Sequence, residues 1–298
     1  MSTKILVPLD GSTLAEHALP TALALAKKRQ ARLELAIVHE TDPFDGLPDT
    51  PWNSMTESMR ERYVTDKATE LSTKGSAPVG HALLRGDVSE AICQHARAMP
   101  ANLIVMSTHG HTGLTRALVG SVADAVIRES GAPVLVLRRP DGREAPDFHK
   151  ILVLDDGSAA SRQILTAAAD LATPGITTFS VLHVVVPYRP IPDPALPFGY
   201  LPPPIDTGAT GDAVRDTQAN VDRLAVELAR LSGCQARGLV VVDGDVPGAI
   251  DAFAKRESVD LIAMTTHGRG VSRLVFGSVT DRLLHSAAAA LLVLRPSA

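Results

Sequence analysis

The chain has 298 residues, of which 45% are apolar and 21% charged, with a formal net charge of -4. That composition suits soluble globular domains and provides no broad basic field for a phosphate backbone, so no nucleic-acid partner is expected. No apolar run reaches membrane-spanning length, and a strand-like run begins within three residues without a signal sequence, so a cytoplasmic location with no membrane partner is expected.

Residues 4–9 predict a short apolar strand, after which Asp10-Gly11-Ser12 turns the chain into a helix over 13–28. Ser12 is placed to cap that helix, and Leu14, Ala18, Leu19, Ala22, Leu25 and Ala26 supply its buried face. A second strand is predicted over 33–39 and, after a polar and less regular segment, a helix over 56–73 and a third strand over 79–84 before Gly86. A helix over 89–98, a short apolar strand over 103–106, a last helix starting at Gly120-Ser121 and a last strand over 134–137 complete the unit.

The second half repeats this order from Ile151 through Leu294. Lys4-Ile-Leu-Val-Pro-Leu-Asp10-Gly-Ser12 matches Lys150-Ile-Leu-Val-Leu-Asp-Asp156-Gly-Ser158, His39 matches His183, Gly86-Asp87 matches Gly244-Asp245, and Gly110 matches Gly268. Nine residues separate Gly110 from Gly120 but only eight separate Gly268 from Gly277, so the second loop is one residue shorter. Each unit is large enough to bury its own core, and Pro140, Gly142 and Pro146 interrupt the pattern between them. Two domains are therefore expected, 1–143 and 144–298, packed as neighbours across a short link. Alternating strands and helices predict an α/β fold in which each domain is an open parallel sheet with helices on both faces. Ligand chemistry is expected beyond the C-terminal strand ends, near Asp10, His39, Gly86 and Ser107.

In both halves an apolar strand ends in small hydroxyl residues and a glycine, and a second glycine precedes a helix. Gly110 and Gly120 allow close backbone approach to a phosphate, while Ser107, Thr108, Ser121 and the free amides of the last helix offer donors. The second set is Thr265, Thr266, Gly268, Gly277 and Ser278. Turns and helix caps account for the same residues structurally. Neither a Walker loop nor a dinucleotide fingerprint is present. His109 and His267 flank the two loops as ligand contacts or structural groups, but in separate domains they form no catalytic dyad. His39 and His183 follow the second strands and either line a ribose or cap the sheet edge. Asp10 and Asp156 have three readings: a backbone contact to a base, a carboxylate that orients a metal-bound phosphate, or a helix cap. Asp87 and Asp245 read as turn residues. Cys93 and Cys234 occupy non-equivalent positions without metal-binding spacing. The proline-rich segment 187–204, with Phe198 and Tyr200, reads as a cover or partner surface, and Trp52 as a gate or packing group.

These motifs resemble the universal stress protein family in its tandem form, over nearly all residues outside the link and the variable middle loops. The family pattern is glycine, two residues, glycine, nine residues, then glycine followed by serine or threonine. Here Ser107, Gly110 and Gly120-Ser121-Val122 fill it in the first domain, and Thr265, Gly268 and Gly277-Ser278-Val279 in the second, with the shortened gap. The resemblance implies an adenine nucleotide alpha hydrolase-like fold of strand order 3-2-1-4-5. It also implies ATP, with or without magnesium, as the cofactor. It carries base contacts to Asp10 and Val38 in the first domain and to Asp156 and Leu182 in the second, and Leu154 replaces Pro8 on the rim. It places His109 and His267 beside the phosphate loops. ATP is expected more strongly in the first domain; in the second, Arg269 and Arg273 either neutralise phosphate or lie in solvent. The last strands are expected to pair the two domains within the chain, leaving a further homodimer open. The resemblance thus implies an ATP-binding stress or signalling protein that regulates an unidentified protein partner. The alternative is a nucleotide-independent dimeric scaffold, with weak ATP hydrolysis as a third reading.

Overall fold

A computed structural model describes residues 3–40, 56–74, 77–107, 120–138, 147–187, 207–266 and 277–296. The first repeat opens with β1 (Lys4–Leu9), almost wholly buried because both faces of the sheet are covered. Asp10 Oδ1 accepts the Ser12 amide at 2.8 Å and Ser12 Oγ accepts the Ala15 amide at 3.0 Å, so the turn and the following helix start are fixed by local side chains. The helix expected over 13–28 divides at His17 into α1 (Thr13–Glu16) and α2 (Ala18–Arg29). Pro20 explains the division: it has no N–H to bond the Glu16 carbonyl, but it is tolerated in the first turn of a new helix.

The remaining elements of this repeat are β2 (Arg32–His39), α3 (Glu57–Lys74), β3 (Val79–Arg85), α4 (Val88–Ala98), β4 (Leu103–Ser107), α5 (Ser121–Glu129) and β5 (Val134–Leu137). The second repeat runs β6 (Lys150–Leu154), a 3-10 turn (Ser161–Gln163), α6 (Ile164–Ala169), β7 (Thr178–Val185), α7 (Thr207–Ser232), β8 (Gln235–Val242), α8 (Val246–Glu257), β9 (Leu261–Thr265), α9 (Ser278–Ser286) and β10 (Ala290–Leu294). All strands form one sheet of order β3-β2-β1-β4-β5-β10-β9-β6-β7-β8. Each half has the order 3-2-1-4-5, and every pairing is parallel except β5 with β10. Alternation along the strands divides the core in two. Ile5, Val7, Leu9, Ile37, Val153 and Val181 face α2, α3, α6 and α7. Leu6, Val38, Met106, Leu152 and Leu182 face α4, α5, α8 and α9.

The seam between the repeats carries two arginines at equivalent positions, one residue beyond β5 and β10. The buried Arg138 donates to the carbonyls of Leu283, at 3.1 Å, and Leu284 at the C-terminal end of α9. In return Arg295 donates to the carbonyl of Arg128 at the end of α5. A guanidinium at each site satisfies late helix carbonyls and sits at the negative end of the macrodipole. Burial lowers the pKa of Arg138 to about 10. A less symmetric contact joins α2 to α6, where Lys28 Nζ donates to Leu171 O at 3.1 Å and Thr173 Oγ1 at 2.5 Å and Arg29 pairs with Asp170. The last strands expected to pair the domains thus meet inside the chain, and neither of those edges is left for a second copy. Replacing Arg138 with alanine should lower the unfolding free energy by about 2 kcal/mol, the scale of hydrogen bonds to a charged donor. Urea titration should show a smaller loss for Arg295→Ala, because Arg295 is only partly buried.

Candidate functional site

At the C-terminal edge of the first repeat, Leu6 and Val38 face α4 and α5, the strand period puts Pro8 on the Leu6 side of β1, and Asp10 follows directly beyond the end of the strand. The N-terminus of α5 starts beside this face. Its cap is Gly120, and no side chain caps it among the described residues. Among the described residues a Cβ built at Gly120 would meet nothing within 4 Å, so the cap position itself is uncrowded there. Ser121 and Val122 are the first two helical residues, with Ser121 exposed and Val122 partly buried. The structure therefore brings Pro8, Asp10, Val38, Gly120, Ser121 and Val122 to one edge. His109 and Gly110 lie outside the described residues.

Two of these groups are already engaged. Ser107 Oγ donates to the Leu14 carbonyl, so its hydroxyl ties β4 to α1. The Val38 carbonyl accepts from the buried Arg60 Nη1 at 3.1 Å. Further along α3, Tyr63 donates to Glu16 Oε1 at 2.8 Å and Lys67 pairs with Glu16 Oε2 at 2.9 Å. Burial first and then Glu16 push the Tyr63 phenol well above its usual range, and the Glu16 hydrogen bond raises Lys67.

In the second repeat α9 likewise starts from a glycine, Gly277, with no side-chain cap among the described residues, and Ser278 and Val279 follow it. Its loop is tied at the base: the Gly277 amide donates to Thr266 O at 3.3 Å, and Thr280 Oγ1 reaches Thr265 O at 3.3 Å. Ala123 holds the position of Thr280 in α5. The buried Thr266 and this hydroxyl give the shorter loop a fixed base. His267, Gly268, Arg269 and Arg273 lie outside the described residues, as do Trp52 and residues 188–204 of the proline-rich segment.

Strand register corrects two matches made on sequence alone. Pro8 pairs with Ala36, and its counterpart Leu154 pairs with Leu182, so Leu182 corresponds to Ala36 and Val184 to Val38. By the same register His183 corresponds to Ile37, not His39. The sequence match aligned two His-containing strand ends, but pairing with β1 and β6 fixes the register two residues away. Leu182 still faces α8 and α9 and is buried, so it floors this edge, while Val184 takes the Val38 position.

This register places Asp155 where the first repeat has Leu9. Asp155 Oδ2 accepts from His183 Nδ1 at 3.0 Å, Asn220 Nδ2 at 3.1 Å and the Gly157 amide at 3.0 Å, and Oδ1 accepts Ser161 Oγ at 2.7 Å. Burial pushes its carboxyl up, but hydrogen bonds from His183, Ser161 and Gly157 outweigh it and hold the pKa below the ordinary value. Asp156 Oδ1 accepts the Ser158 amide at 2.9 Å, matching Asp10 and Ser12.

The family model described as Universal stress protein family matches residues 1–138 and 147–295. The chain belongs to the universal stress protein family. A universal stress protein of Methanocaldococcus jannaschii is 34% identical over 140 residues, covering 46% of this chain and 82% of that one. A longer alignment, 203 residues at 27% identity, joins it to a universal stress protein of Mycobacterium bovis and covers 66% of this chain and 63% of the other. Among solved structures, a universal stress protein from Archaeoglobus fulgidus superposes with a TM-score of 0.72 over 100% of both chains at 17% identity. A putative universal stress protein from Pseudomonas aeruginosa gives 0.68 at 18% identity over 99% and 94%. At such identities the two structures establish the fold.

Sequence reading of this universal stress protein missed Arg60, Asn220 and Asp155. Arg60 and Asn220 sit within amphipathic helices as ordinary polar residues, and only the fold turns them inward. Asp155 had a visible signal, an acid directly after the apolar run 151–154 where the first repeat has Leu9. Asp155→Leu should cost about 3 kcal/mol by stranding its donors. Because the folded pKa is lowered, the stabilisation from Asp155 is complete above the unfolded carboxylate pKa of about 3.9 and is lost as pH falls through the lower folded value. Denaturant midpoints measured across that acid range should fall for the wild type and fall less for Asp155→Leu.

Proposed function

We propose that this universal stress protein binds ATP in the cytoplasm and that occupancy regulates loop order or affinity for a protein partner. The first repeat is the stronger site. The observation that carries this reading is the glycine-capped start of α5, whose first amides have no side-chain cap among the described residues and lie at the same end of the sheet as Pro8, Asp10 and Val38. Backbone amides at a helix start suit phosphate, and the apolar side of Val38 suits a base. Magnesium would be carried on the phosphates, because its usual shell includes water and substrate oxygen. Among the described residues no group of three or more His, Cys, Asp or Glu is arranged to hold a metal. In the second repeat the Thr280 contacts and the shorter loop support weaker occupancy. Bound ATP can shift the protein only to the extent that it favours one arrangement over another.

Gly120→Asp separates folding from binding. Aspartate is a favourable helix cap, so stability should stay level or rise, while its carboxylate blocks the amides and repels phosphate. ATP affinity measured calorimetrically with magnesium should fall at least about tenfold, roughly 1.4 kcal/mol. Unchanged affinity in the folded variant would refute this site, and no binding by the wild type would favour the nucleotide-independent scaffold.

A further inference from the structure

The sheet face under α8 and α9 is apolar along its middle, with Leu152 and Leu182 buried there, but it turns polar where β6, β7 and β8 begin. Strand period and pairing bring Lys150, Thr178, Ser180, Gln235 and Arg237 together on that face, with Thr178 opposite Gln235 and Ser180 opposite Arg237. Glu257, the last residue of α8, closes over this row, and the described residues surround a recess of about 350 Å³. That volume suits a small molecule. The recess lies at the N-terminal ends of the strands, the end opposite to the nucleotide edge of the same repeat.

In the first repeat the corresponding space is filled from within the chain. By strand register Glu34 stands where the second repeat has Ser180, Gly80 where it has Arg237, and Arg32 where it has Thr178. The Glu34 side chain accepts from Arg32 Nε at 3.3 Å and lies across Gly80. A Cβ built at Gly80 would come within 2.5 Å of Glu34 Oε2 and 2.6 Å of Arg32 Nη2. A carboxylate held on a guanidinium therefore occupies the first recess. In the second repeat serine withdraws that carboxylate, Arg237 brings a cation to the Gly80 position, and the space stays open.

We propose that the recess binds a small organic dicarboxylate or tricarboxylate, with one carboxylate on Lys150 and another on Arg237. The two cations reach in from β6 and β8 on either side of β7, so one carbon chain bridges them. Arg237 donates to Glu257 Oε2 at 3.0 Å and to Ser180 Oγ at 3.3 Å, and Arg256 donates to Glu257 Oε1 at 3.2 Å. Two guanidinium groups thus share one carboxylate. Lys150 Nζ donates at 2.6 Å to the neutral Glu257 carbonyl, and Asp260 Oδ2 accepts the amides of His149 and Lys150. Three cations meet two carboxylates, which leaves positive charge for an incoming anion. Arg237 keeps further N–H groups for a ligand oxygen, and Ser180, whose oxygen accepts from Arg237, keeps its own proton to donate. The Gln235 amide adds donors at the same wall.

Titration of the nucleotide-free full chain with citrate and with succinate tests the site. Saturable amide shifts should appear at Ser180, Arg237 and Glu257, with a Kd of about 1 mM or tighter for citrate, while Ser121 and Ser278 stay unmoved. Ser180→Glu restores the carboxylate of the first repeat and should weaken binding at least about tenfold. Arg237→Gln, at an exposed side chain that folding does not depend on, should do the same and serves if the added glutamate disturbs packing. Inorganic phosphate cannot span the two cations and should bind more weakly than citrate. No saturable shift with either carboxylate, shifts that persist unchanged in both variants, or phosphate binding as tight as citrate would overturn the proposal. None of these outcomes depends on whether ATP binds at the opposite strand ends.

Discussion

The antiparallel pairing of β5 with β10 determines the geometry of the whole molecule. Each repeat is a parallel sheet, so its loops and helix starts gather at one end. Joining two such sheets through antiparallel last strands makes a continuous sheet and points the two ends in opposite directions. The same operation keeps α2, α3, α6 and α7 on one face, which lets a single apolar layer run through both repeats. Arg138 and Arg295 reinforce this arrangement from either side by bonding the late carbonyls of the opposite helix. Lys28 and Arg29 add a directional contact, because Asp170 and Thr173 meet them whereas the corresponding residues of the first repeat are Ala24 and Lys27.

Much of this architecture was legible as pattern. The apolar run 103–106 predicted a central strand because a parallel sheet hides both of its faces, 134–137 predicted the last strand, and Gly120 and Gly277 marked the starts of α5 and α9. Pro20 was visible too, but an apolar helical stripe on both sides concealed the division it causes. Register was less accessible. His39 and His183 look equivalent in a linear match, yet only cross-strand pairing reveals that His183 occupies the place of Ile37. The inward turn of Arg60 and Asn220 depends on how α3 and α7 rotate against the sheet, which their local sequence does not specify uniquely.

Duplication has therefore preserved backbone order while changing side-chain chemistry around it. Tyr63 and Asn220 occupy equivalent helical positions, as do Glu16 and Arg162, and each pair interacts in its own repeat. Their chemistry differs: a phenol meets a carboxylate in the first repeat, and an amide meets a guanidinium in the second. The buried Asp155 assembles its neighbours where Leu9 simply packs. Apolar packing at Leu9 is insensitive to pH, whereas the stabilisation from the desolvated Asp155 carboxylate depends on its own protonation state. The repeats share a fold without sharing an electrostatic environment.

That asymmetry makes nucleotide stoichiometry the most direct measurement. Equilibrium binding of ATP with magnesium to the full chain, read together with amide shifts at Ser121 and Ser278, should give one tight site per chain with the larger response at Ser121. Two equal sites, a tight site that perturbs Ser278 alone, or no binding would contradict the account.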